Sequence, residues 1–87
     1  MNTEQHARKA LTAILVEECN VDASSIKDAS RLQDDLGLDS MTLLSLALEV
    51  ENFLGCALEE DPENPPLTVG ELVELVVTRL EEQRNVA

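Results

Sequence analysis

Aromatic residues are nearly missing from this sequence: Phe53 is the single phenylalanine, and there is no tryptophan or tyrosine. With 44% of the 87 residues apolar, the interior must be assembled from Leu, Val, Ala and Ile, which favours helices packed on helices. Basic residues are scarce as well, six against eighteen acids, for a formal net charge of −12. Such a surface repels nucleic acid phosphates and anionic membranes, so no nucleic acid partner is expected and partner surfaces should be basic. The acids are interleaved with periodic apolar residues and form no single block, which argues against a disordered acidic tail. Two cysteines, Cys19 and Cys56, cannot build the multi-bridge framework of a small secreted domain, and a reduced, cytoplasmic setting fits better. Neither has a His or Cys beside it in sequence to activate it, so both are expected to serve by burial. The N-terminus lacks the basic-then-apolar pattern of a signal peptide, and no apolar run is long enough to span a bilayer. The length suits one domain over residues 1–87, and repulsion between like charges makes a monomer the expectation.

Helical periodicity supplies the organisation. Ala7, Ala10, Leu11, Ile14 and Leu15 recur on one face, predicting an amphipathic helix over about 4–18 capped by Asn2 or Thr3. From Asn20 to Asp39 apolar residues come singly. This long loop should be pinned by Val21, Ile26, Leu32 and Leu36, with Gly37 supplying a turn that other residues resist. Ser40 to Leu54 is apolar around most of a helix circumference and should form the central helix, capped by Asp39 or Ser40 and ended by Gly55. The prolines at 62, 65 and 66 limit the next segment to about one helical turn, with Pro62 suited to its first position. Thr68 and Glu71 then form a capping-box pattern opening a last helix to about Gln83, buried through Leu72, Val73, Val76, Val77 and Leu80. The fold expected is all-α: a small bundle of three main helices plus one short helix, with a long first loop.

The distinctive string is Asp34-Asp35-Leu36-Gly37-Leu38-Asp39-Ser40-Met41, a serine where an acidic loop meets an apolar helix. A hydrolase would need a base beside that serine, and the only histidine is His6, a solvated side chain in the first turn of a surface helix. A nucleophile elbow would need flanking glycines that are not there. With Gly37 at the turn position of a calcium loop, the preceding ligand places would be Leu32, Asp34 and Leu36, one carboxylate in three. No catalytic and no metal-ligating residue is therefore assigned. The plain reading left is that Ser40 only caps a helix.

The string also resembles the signature of the acyl carrier protein family, Asp-Leu-Gly-x-Asp-Ser followed by Leu or Met, and Asp35-Leu36-Gly37-Leu38-Asp39-Ser40-Met41 matches every fixed place. The resemblance extends over nearly the whole chain in helix order and acidity. It implies a single acyl carrier domain and no enzyme. A phosphopantetheinyl transferase would move 4′-phosphopantetheine from coenzyme A to Ser40, with Asp39, Gly37 and Met41 forming its immediate surroundings. Acyl groups would then ride on the arm's thiol as thioesters for fatty acid, specialised lipid or polyketide biosynthesis. The residues agree, because a hydroxyl at a helix N-terminus leaves an attached phosphodiester beside free N–H groups.

Partner enzymes would meet Asp34, Asp35, Leu43, Leu48, Glu49 and Glu51. Where the family commonly has acids two and five places after the serine, this sequence has Thr42 and Ser45, and Leu43 and Leu48 are the neighbouring exposed candidates. Docking should therefore shift toward apolar contact or toward the acids at 49, 51, 59, 60, 61 and 63, as in a specialised carrier serving a dedicated pathway. The aliphatic interior can be an ordinary core, or helices that part to shelter an acyl tail. A peptidyl, aminoacyl or D-alanyl carrier, or an acidic helical adaptor with Ser40 as a simple cap, stays compatible with the residues.

Overall fold

The computed structural model describes residues 2–58 and 65–84, and all but the side chain of Arg84 among them. Three helices form its frame: α1 (Thr3–Glu17), α2 (Ser40–Leu54) and α3 (Val69–Arg84). Among the described residues there is no strand, only one isolated antiparallel bridge between Arg31 and Thr68. The short helix expected around Pro62 lies outside the described residues. Among the described residues a 3₁₀ turn, Ala23–Ser25, forms within the first loop, where the Asp22 carboxylate accepts the Ser24 N–H at 2.9 Å.

Each helix end is set by its own sequence. Asn2, not Thr3, caps α1: its Oδ1 accepts the Gln5 N–H at 2.8 Å while Gln5 Oε1 accepts the Asn2 N–H at 3.3 Å. Beyond α1, Asn20 takes a left-handed φ of 58°, which asparagine tolerates, and the Val21 N–H turns back to the Leu15 carbonyl at 2.9 Å. Gly55 ends α2 at φ 75°, donating to the Glu51 carbonyl at 2.8 Å. At α3 the Thr68 hydroxyl accepts the Glu71 N–H at 3.2 Å, and the Glu71 carboxylate reaches one residue further back than a capping box requires, to the Leu67 N–H at 2.8 Å.

α1 packs against both α3 and α2, and α2 against α3. The core is aliphatic throughout, and no polar or charged side chain among the described residues is buried. Ala7, Leu11 and Leu15 come from α1; Leu46, Val50 and Leu54 from α2; Val69, Leu72, Val73 and Val76 from α3. The expected Ala10, Ile14, Val77 and Leu80 are only partly buried, because helices packed along one stripe leave its flanks at the edge.

The long loop is packed down as expected. Val21, Leu32 and Leu38 enter the core and Ile26 and Leu36 lie against it. Its backbone is tied to the start of α3 by Leu32 N–H to Leu67 O (2.9 Å), Val69 N–H to Ser30 O (3.0 Å) and Gly70 N–H to Asp28 O (3.0 Å). Arg8 of α1 holds the same loop through a two-pronged ion pair with Asp28, one prong at 3.0 Å. The end of α3 is tied to the end of α2, where Gln83 Nε2 donates to the Leu54 carbonyl at 2.7 Å.

Candidate functional site

The serine is the first residue of α2, and Asp39 stands outside the helix as its cap, accepting the Thr42 N–H at 2.8 Å. The Thr42 backbone N–H, joined by the Thr42 side chain, pulls the Asp39 carboxyl below the usual carboxylate range. Ser40 is exposed. Among the described residues its hydroxyl makes no hydrogen bond, so the capping work falls to Asp39 and the Ser40 oxygen faces solvent beside the first N–H groups of a 15-residue helix. An anion tethered to that oxygen would sit at the positive end of the helix dipole.

Gly37 sets the approach to this corner. Its φ is 71°, and a Cβ placed there would meet nothing within 4 Å, so backbone conformation and not crowding asks for glycine. Its N–H donates to the Gln33 carbonyl and that of Leu38 to the Leu32 carbonyl, each at 3.1 Å, closing a compact turn ahead of Asp39. Asp34 and Asp35 lie on this turn, both exposed. A residue the sequence reading passed over organises them: Arg31 approaches Asp34 at 3.5 Å and Asp35 at 3.4 Å, and its N–H donates to Asp35 Oδ2 at 2.7 Å. That backbone N–H, with the guanidinium, holds the Asp35 carboxyl below its ordinary range. The i,i+3 and i,i+4 spacing of Arg31 from the two acids was the available signal.

Along α2 the expected exposed pair is half right. Leu48 is 53% exposed, whereas Leu43 is half-buried against the core. The correction follows from helix phase: Leu43 precedes buried Leu46 by three and Val50 by seven, so it shares their inward face. The exposed face carries Met41 (80%) and Leu44 (64%) ahead of Leu48. Of the acids assigned to docking, Glu49 is half-buried, and Glu51 accepts the Leu58 N–H at 2.9 Å, which engages it in fixing the chain beyond α2. The acids at 59, 60, 61 and 63 lie outside the described residues.

Inward of Leu43 lies an open cleft of about 260 Å³ bounded by Arg31, Leu32, Gln33, Asp34, Leu43 and the 65–67 segment. It shares Leu32, Leu43, Pro65 and Pro66 with a deeper pocket of about 150 Å³ that reaches Leu46, Leu58 and Leu72. Its inner wall is aliphatic.

Among the described residues no histidine stands beside Ser40 to act as a base. The His6 ring lies against Phe53, centroids 5.2 Å apart, and Phe53 is thirteen residues along α2 from Ser40, about 20 Å at helical rise. Both cysteines are free and partly buried. Burial, then the neighbouring Glu18 and Glu49 charges, push the Cys19 thiol up, and Cys56 Sγ contacts Gln83 Nε2 at 2.9 Å. No group of three or more His, Cys, Asp or Glu among the described residues is placed to hold a metal ion, and no described helix is long and apolar enough to cross a membrane.

Comparison with known proteins bears on the same serine-led helix. The profile of the family described as "Phosphopantetheine attachment site" matches residues 9–61, a span that contains Ser40 and all of α2. The protein named acyl carrier protein MbtL of Mycolicibacterium paratuberculosis is 34% identical over 82 residues, 94% of this chain and 92% of that one. Its namesake from Mycobacterium sp. (strain MCS) is 43% identical over 63 residues, covering 72% and 71%. The acyl carrier protein of Thermotoga maritima is 28% identical over 80 residues, 92% of this chain and 99% of the other.

Proposed function

This chain belongs to the acyl carrier protein family, and we propose that Ser40 is the residue on which it carries its 4′-phosphopantetheine. The protein is a carrier and not a catalyst, its cofactor is covalently bound 4′-phosphopantetheine, and its partners are a phosphopantetheinyl transferase and acyl-handling enzymes. The arm ends in a thiol on which acyl groups are held as thioesters. The observation that carries the assignment to Ser40 is the division of labour at the start of α2: Asp39 caps the helix and leaves the Ser40 side chain exposed and, among the described residues, without a hydrogen bond.

Around that point Gly37 and Asp39 fix the backbone, while Asp34 and Asp35 offer a negative surface to a basic transferase. The cleft behind Leu43 is the place for an acyl tail, on the support of its aliphatic wall. Thr42 and Ser45 stand where a general carrier commonly has acids, which supports a dedicated pathway over general fatty acid synthesis. The formal charge of −12 supports a monomer, and the absence of a bilayer-spanning helix among the described residues is compatible with a cytoplasmic carrier.

The assignment is tested by intact-protein mass after incubation with coenzyme A, magnesium and a broad-specificity phosphopantetheinyl transferase. Wild type should gain one phosphopantetheine and Ser40→Ala none. No gain in wild type, or a gain in the Ser40→Ala protein, would overturn it. The pathway is tested on the loaded carrier: fatty acid synthase enzymes should elongate it poorly beside a housekeeping carrier, and equal elongation would refute a dedicated role.

A further inference from the structure

A phosphodiester on Ser40 meets an electrostatic obstacle at this corner of the molecule. Asp34, Asp35, Asp39 and Ser40 are all exposed, so an anion on the Ser40 oxygen joins a surface that already carries three carboxylates. The first N–H groups of α2 offset part of that repulsion, but one of them, that of Thr42, is already bonded to Asp39. Basic residues that could offset the rest are scarce. Between Lys27 and Arg79 the sequence holds one, Arg31.

Arg31 is placed for the task. The Leu32 carbonyl accepts the Leu38 N–H at 3.1 Å, which brings Arg31 and Asp39, the residues flanking that bond, to the same end of the turn. Arg31 also lines one cleft with Leu43, which lies on α2 about a turn beyond Ser40. Its present partners hold the guanidinium loosely: Asp34 at 3.5 Å and Asp35 at 3.4 Å, longer than the about 2.7–2.9 Å of a well-made charge-assisted bond. The Arg31 side chain is 60% exposed, so turning it sacrifices little burial. A planar guanidinium can take two phosphate oxygens side by side, whereas each aspartate is met through a single oxygen. Asp35 keeps its bond to the Arg31 backbone N–H, at 2.7 Å, when the guanidinium leaves, so the turn survives the exchange.

Building on the attachment at Ser40, we propose that Arg31 is a positioning residue for the arm: its guanidinium leaves Asp34 and Asp35 and pairs with the phosphodiester on Ser40. The pairing relieves the repulsion at the corner and holds the root of the arm beside the cleft that Arg31 lines.

The test compares the apo and phosphopantetheinylated forms of wild type, Arg31→Gln, Arg31→Lys and Lys27→Gln, each loaded to completion with excess transferase, coenzyme A and magnesium and verified by intact mass. Lys27 is exposed on the pocket that faces α1, and its variant matches the charge lost in Arg31→Gln. Any effect of a substitution on the fold itself is common to both forms and cancels in their difference. At ~0.05 M salt the arm should raise the thermal midpoint of wild type by about 2–4 °C more than that of Arg31→Gln, the scale of one exposed ion pair. Lys27→Gln should match wild type, and Arg31→Lys should recover part of the gain. The excess should shrink by at least about half at ~0.5 M salt. By phosphorus NMR the phosphodiester resonance should move in Arg31→Gln and stay in place in Lys27→Gln. Equal midpoint gains in wild type and Arg31→Gln, or equal losses in Arg31→Gln and Lys27→Gln, would overturn the role of Arg31 while leaving the Ser40 assignment standing. Failure of wild type to gain the arm would bring down that assignment and the role of Arg31 with it.

Discussion

The Asp39 carboxylate accepts the Thr42 N–H at 2.8 Å, and in doing so it separates two roles that the Asp-Ser pair could have shared. Ser40→Ala should therefore leave stability within ~0.5 kcal/mol of wild type, as for a surface change away from any bonded group. Asp39→Ala should lower the thermal midpoint by removing the cap, and Asp39→Asn should keep most of it. Thermal unfolding of the three variants checks this. Equal losses for Ser40→Ala and Asp39→Ala would mean that the serine caps after all.

The two neighbouring leucines of α2 should respond oppositely to truncation. Leu43 packs against the core and Leu44 is 64% exposed. Leu43→Ala should cost about 1–2 kcal/mol, and Leu44→Ala less than ~0.5 kcal/mol. Urea midpoints measured side by side report the phase of the helix directly.

A pH dependence follows from the ion pair between Arg8 and Asp28. Hydrogen bonding from the guanidinium, with its charge, holds the Asp28 carboxyl below its usual range. A carboxyl lowered in the folded state adds stability that is present above the unfolded value, near ~3.9, and lost as pH falls through the lower folded one. Asp28→Asn should thus melt a few degrees below wild type at neutral pH. The gap should close in acid below about pH 4 and narrow in high salt, since both side chains are largely exposed.

Gly70 occupies the second position of α3, and a Cβ there would lie 3.1 Å from the Asp28 carbonyl oxygen and 3.3 Å from its Cβ. Asp28 cannot easily retreat, because its carbonyl accepts the Gly70 N–H and its carboxylate is clasped by Arg8. Alanine is the better helix former, yet Gly70→Ala should destabilise by about 1 kcal/mol as overpacking outweighs propensity. A stabilised variant in urea titration would show that the 28–30 segment yields more readily than its bonds suggest.

Much of the design is local and so was readable in the chain. The bounds of α2 follow from Asp39 and Gly55, the start of α3 from Thr68 and Glu71, and the left-handed turn from Gly37. The serine-led motif needed no structure, since its meaning lies in consecutive residues. Choosing Asn2 over Thr3 and Asp39 over Ser40 required the first-turn geometry, because adjacent side chains of either kind can accept the same N–H.

Helix phase and long-range pairing escaped the linear reading. On a helix apolar around most of its circumference, the sequence cannot say which leucines face inward, and Leu43, expected at the surface, packs inward while its neighbour Leu44 is exposed. Arg31 was passed over because its value depends on a turn that brings Asp34 and Asp35 back to it. The sequence alone determined the three main helices, their approximate bounds and the serine that opens α2, because capping and periodicity act over a few residues. Which side of α2 meets solvent, which acids stay paired within the chain and how the loop is held by Arg8, Gly70 and Leu67 were decided only by tertiary packing, where residues distant in sequence compete for one core.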